Sequence, residues 1–249
     1  MTDHNAKDSN QVSRRNFFTG ISTVAATSSI LAACGKEQGP SDAAKLAQRA
    51  SSILGGRSFV PVVTPGIANL PYEMDGNVKV FRLTPEPVTL QWPDMTDGMG
   101  MKNRPVYAWG YSGSVIGPTI EVVEGDRVRI IVENKLPEGT TVHWHGLHVP
   151  IEMDGVEGIS QPPIKPGETF TYEFTINQHG TYFYHPHFMG AKQAGLGMAG
   201  FLIVHPRNLE PWMIVDKDYA YFLQTWYLQP GTSVPDQLEM ADFNYFTMN

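Results

Sequence analysis

The chain of 249 residues contains one cysteine, Cys34. It lies at the end of a leader-like segment, so residues 35–249 can form no internal disulfide and no thiolate metal site. Long basic runs are also missing. Lys and Arg form no cluster beyond the pair Arg14-Arg15, and the formal charge is −7, which gives no reason to expect a nucleic-acid partner. No apolar stretch is long and clean enough to read as a membrane span, since Phe17–Ala33 is short and rich in Ser, Thr and Gly. Helical periodicity is scarce, with Met189–Met198 the one segment of note in the body. Internal repeats and low-complexity tracts are absent.

What is present at the N-terminus is an address. Ser13-Arg14-Arg15-Asn16-Phe17-Phe18 resembles a twin-arginine export motif, and Leu31-Ala32-Ala33-Cys34-Gly35 resembles a lipoprotein cleavage box. Residues 1–34 are therefore expected to be a twin-arginine-like lipoprotein signal. Export to the periplasm or cell envelope follows, with membrane association only through a lipid anchor on Cys34. Residues 35–57, small and polar, read as a flexible tether with some helix around Ala43–Ala50.

From Phe59 onward, short β-rich runs alternate with Gly, Pro and Asp. Nine candidate strands are Val78–Leu83, Val88–Trp92, Pro105–Gly110, Thr119–Val123, Arg127–Asn134, Thr141–Leu147, Thr169–Ile176, Gly180–His185 and Ala199–His205. This density predicts an all-β sandwich. Residues 207–218 read as a linker, followed by strand-like Tyr219–Leu228 and Phe243–Asn249. That apolar run is expected either to dock on the preceding domain or to stand as an exposed edge.

The chemistry concentrates in His143-Trp144-His145-Gly146 and His185-Pro186-His187. Side chains alternate along a strand, so both histidines of an H-x-H share a face; Trp144 then faces the opposite way and packs, while Pro186, which lacks a ladder donor, marks an edge or strand end. Four imidazoles could then converge, and imidazole suits copper, zinc, iron or nickel. Structural zinc sites generally use cysteine, which is missing here. Asp154, before Gly155, is either a carboxylate beside such a site or a plain turn residue. Met95, Met99 and Met101 are thioether candidates for Cu(I) in an irregular loop; Met189 and Met198 are expected to fill gaps near the cluster. His148 is expected to point off the site, and His4, His179 and His205 carry no metal expectation.

Thr141–Pro150 (TVHWHGLHVP), Met153-Asp154-Gly155, Gln161–Glu168 (QPPIKPGE) and Gly180–His187 (GTYFYHPH) together resemble the first domain of a laccase-type multicopper oxidase. Gly117-Pro118-Thr119-Ile120 and Glu124-Gly125-Asp126 fit the same pattern, and residues 219–249 resemble the start of the family's second domain. The resemblance implies a cupredoxin-like Greek-key β-sandwich over residues 58–206. A linker and an incomplete second cupredoxin domain would occupy 207–249. It implies that His143 ligates the type 2 copper, and that His145, His185 and His187 ligate the type 3 pair, of a trinuclear cluster that reduces dioxygen to water. Electrons would come from a phenolic or metal-ion donor through a type 1 copper. The chain departs from the pattern in having no third H-x-H, no His-Cys-His and no type 1 cysteine. It is therefore expected to be the N-terminal portion of such an enzyme, inactive alone, completed by missing C-terminal domains or a complementing chain. Two other readings are an exported copper-binding lipoprotein without turnover and a copper nitrite reductase, whose first domain should carry a type 1 cysteine.

Overall fold

A computed structural model describes residues 41–56, 58–91, 105–228, 232–236 and 243–249. The leader, Cys34, most of the linker preceding residue 41, His4 and the Met95, Met99 and Met101 loop lie outside the described residues. Contacts divide the chain into two units, Met1–Ser41 and Asp42–Asn249, and the second holds every described helix and strand.

The second unit opens with α1 (Asp42–Leu54). Then come β1 (Val62–Val63), β2 (Tyr72–Asp75), β3 (Val78–Leu83), β4 (Pro85–Gln91), β5 (Pro105–Tyr111), β6 (Gly117–Val123), β7 (Arg127–Glu133) and β8 (His143–His145). After a 3-10 turn at Ile151–Met153 come β9 (Thr169–Thr175), β10 (Gly180–His185), α2 (Gly190–Gly195) and β11 (Gly200–His205). The remainder holds β12 (Asp218–Tyr219), β13 (Leu223–Trp226) and β14 (Tyr245–Met248). The architecture is the cupredoxin-like Greek-key sandwich that the sequence predicts. One sheet has the order β2-β3-β7-β9, the other β6-β11-β10-β8, and β4-β5 form a hairpin between chain segments of the two. Among the described residues no helix is long and apolar enough to cross a membrane.

Alternation builds the core. Val128, Ile130 and Val132 of β7 point inward, as do Phe81 and Leu83 of β3 and Tyr172 and Phe174 of β9; from the facing sheet come Ile120, Val122, Leu202, Val204, Trp144 and Tyr184. Burial of such side chains contributes roughly 1.5–3 kcal/mol each before conformational entropy is subtracted. Arg127 and Arg129, the outward partners on β7, share Glu173 of β9. Trp144 sits at the centre, its ring 5.2 Å from Tyr172, 5.7 Å from Phe174 and 6.2 Å from Tyr184.

Two segments differ from expectation. The strand expected over Thr141–Leu147 shrinks to three residues: the Val142 N–H is taken by the Tyr172 hydroxyl, and Gly146 turns away at φ +86°. The run Tyr219–Leu228 is divided between β12, parallel to β1, and β13, paired with β14. It docks rather than standing alone: Trp226 is 1% exposed and Leu228 5%.

Candidate metal centre

Register, not sequence proximity, assembles the site. β10 runs antiparallel to β8 with His185 opposite His143, Tyr184 opposite Trp144 and Phe183 opposite His145. Because Trp144 and Tyr184 enter the core, His143, His145, His185 and Phe183 must share the outer face of the sheet. Ligand-capable atoms of His143, His145 and His185 all lie within 4.8 Å of one another. His187 follows Pro186, past the end of β10, and its ring centroid is 5.6 Å from that of His143. All four sequence-predicted histidines are thus gathered, three on the strands and one on the following turn.

The local environment sets which nitrogen each imidazole presents. His143 Nδ1 lies 2.7 Å from the backbone oxygen of Asp154, His185 Nδ1 2.9 Å from that of Pro186, and His187 Nδ1 2.7 Å from Glu157 Oε2. Each oxygen accepts, so each Nδ1 is the donor, and in the neutral form of the ring Nε2 is the nitrogen that offers a lone pair. His145 differs, with its Nδ1 3.1 Å from His185 Nε2. That separation is the length of an imidazole N–H···N hydrogen bond, and it brings two nitrogens that could serve as metal donors side by side. A first-row ion about 2.0–2.1 Å from each nitrogen places neighbouring donors about 3 Å apart. The donor set therefore fits a copper-type cluster, with borderline nitrogen donors and no thiolate.

Burial holds the His185 imidazolium in check, and the nearby His143, His145 and His187 add to the effect. The hydrogen bond to Pro186 acts oppositely, but His185 is still lowered from 6.5 to about 4. Phe183 stacks on both His145 (4.5 Å, 19°) and His185 (5.1 Å, 24°), limiting their rotation. A cavity of about 510 Å³ opens beside these two imidazoles, lined largely by apolar side chains including Met198, Phe222 and Leu223.

Asp154 closes the 3-10 turn, which places its backbone oxygen on His143 and its carboxylate Oδ1 3.4 Å from the same nitrogen. Gly155 makes this approach possible. Its φ is +77°, and a Cβ there would lie 1.9 Å from the Val142 oxygen. Thr141 Oγ1 accepts from the backbone N–H groups of His187 and Phe188. Buried Gln193 ties α2 to the 138–140 segment through Glu138, Gly139 and Thr140.

Sequence reasoning did not single out Phe183 or Glu157 as site residues. The spacing of Phe183, two before His185, carried a usable signal; Glu157, 30 residues from its partner, carried none. Met198 is fully buried and lines the cavity, whereas Met189 is 53% exposed, because it takes a left-handed turn conformation at the start of α2. His205 is a buried structural residue, bonded to Glu121 at 2.7 Å and stacked on Phe59.

The family model described as multicopper oxidase matches residues 94–209, a span containing all four histidines. The chain belongs to the multicopper oxidase family. This multicopper oxidase chain is 34% identical to laccase-1 of Emericella nidulans over 168 residues, covering 67% of this chain and 27% of that protein. It is 38% identical to copper resistance protein A of Escherichia coli, over 55% of this chain and 22% of that one. Among solved structures, the blue copper oxidase of Nitrosomonas europaea superposes with a TM-score of 0.59 at 32% identity, covering 68% of this chain and 52% of that one. The chain thus spans about a quarter of the length of these curated relatives.

Proposed function

We propose that this chain is the N-terminal portion of a laccase-type oxidase, and that His143, His145, His185 and His187 supply half the ligands of a trinuclear copper cluster at which dioxygen is reduced to water. His143 serves the type 2 ion; His145, His185 and His187 serve the type 3 pair. The observation that carries the reading is the convergence of the donor atoms of His143, His145 and His185 within 4.8 Å, with the Nδ1 atoms of His143, His185 and His187 committed to oxygen acceptors. Copper, when bound, supplies the one-electron chemistry for dioxygen reduction.

The chain's own residues do the rest. Phe183 and the apolar cavity wall hold the His145 and His185 rings in place beside the cavity. The Asp154 carboxylate, about one-third exposed, is placed to pass protons from solvent toward the His143 side of the cluster. The electron donor, a phenol or metal ion, and the remaining ligands belong to further domains or a complementing chain. The leader motifs support export and a lipid anchor on Cys34.

Titration of Cu(II) into the full chain tests the assignment. The wild type binds, and a His143→Ala/His185→Ala double variant binds at least tenfold more weakly. Equal affinity in the two proteins removes the site.

A further inference from the structure

We propose that Glu157 is a positioning residue that selects the ligating tautomer of His187. The proposal rests on the copper-ligand reading of His187 and adds to it the group that makes His187 competent. A neutral imidazole donates from one nitrogen and accepts at the other. His143 and His185 receive their Nδ1 acceptors from backbone oxygens, which no side-chain change removes. His187 receives its acceptor from a side chain, Glu157 Oε2 at 2.7 Å.

Both partners are held for this contact. Thr141 Oγ1 takes the His187 backbone N–H. Glu157 sits in a tight loop closed by Ser160 N–H to the Val156 oxygen (2.8 Å) and Gly158 N–H to the Gln161 oxygen (3.0 Å). Gly155 and Gly158, on either side of the Val156-Glu157 pair, both adopt positive φ. The side chains of His187 and Glu157 are 42% and 32% exposed, so the pair adds little to folding stability. Its consequence is orientation: with the proton on Nδ1, Nε2 is left bare for a metal. The carboxylate also places negative charge one imidazole away from a cationic cluster.

The test uses the full chain, metal-free and with Cu(II). At pH 8, imidazole ¹⁵N shifts report the tautomer of each neutral histidine, with the His187 signals identified by their loss in His187→Gln. Wild-type His187 is expected in the Nδ1–H form. Glu157→Ala is expected to move it toward the Nε2–H form that free side chains favour, and to weaken Cu(II) binding about 10- to 100-fold. Glu157→Gln, whose amide oxygen can accept the same hydrogen bond, is expected to keep the Nδ1–H form and to retain more affinity than Glu157→Ala. An unchanged His187 tautomer in Glu157→Ala overturns the proposal, as does loss of the Nδ1–H form in Glu157→Gln. The tautomer measurement needs no metal. A wild type that binds no Cu(II) would therefore sink the copper reading while the Glu157 assignment is still decided by the shifts.

Discussion

Within single residues, the site is a problem of keeping imidazoles neutral and aimed. His185 illustrates the cost of doing so. Its ordinary value of 6.5 falls to about 4, chiefly because burial disfavours the imidazolium. As pH falls below 6.5 the unfolded chain takes up a proton at this position before the folded one does. The stabilisation is complete above 6.5 and is lost progressively down to about 4. Denaturant melts of the metal-free protein between pH 7 and 4 should therefore show a steeper loss of stability for the wild type than for His185→Gln. Parallel curves would mean that His185 is not desolvated as described. Glu121 shows the reverse balance. Burial alone would raise its carboxyl, but hydrogen bonds from His205, the Val62 N–H and Asn69 together hold it below the usual carboxylate range. That residue clamps the β1 segment to β6 and lies apart from the metal centre.

Among the elements, strand pairing converts two sequence pairs into one site, and the C-terminal elements cover the sheet that carries it. β12 adds to β1, and the β13-β14 hairpin places Trp226 against Gly197, where a Cβ would come within 2.7 Å of the indole. Trp226 Nε1 donates to Thr247 Oγ1 across the hairpin. Replacing Trp226 with alanine should cost about 3–5 kcal/mol, as for other buried large side chains. Ending the chain at Arg207 should lower the melting temperature by many degrees. A shortened chain that melts as high as the whole would show that Trp226 and Leu228 contribute no net stability to the sheet they cover.

For the molecule as a whole, residues 35–249 carry a histidine site and no cysteine. Copper bound to this chain should therefore lack the intense blue absorption of thiolate-bound copper, and the chain should not oxidise phenols at the rate of a complete oxidase. A blue band from the isolated, copper-loaded protein, or turnover near that of a complete enzyme, would contradict the half-cluster assignment.

Much of this protein was legible from residue order. Alternation in Val78–Leu83 and Arg127–Asn134 marked half-buried strands, and the spacing of His143 and His145 marked a pair on one strand face, because a period of two is a local property of extended chain, whereas His187 joins the site from the turn after β10. The inward role of Trp144 followed from the same period. Only the tertiary structure could set His185 against His143, since register depends on which strands meet, and the two residues lie 42 positions apart. It alone supplied the acceptors on Nδ1, because Asp154 and Glu157 reach their histidines through loops whose path is decided by Gly155 and the surrounding packing. It also decided that the tail docks. The apolar pattern of Tyr219–Leu228 called for burial, but a pattern names a face and not the surface that covers it.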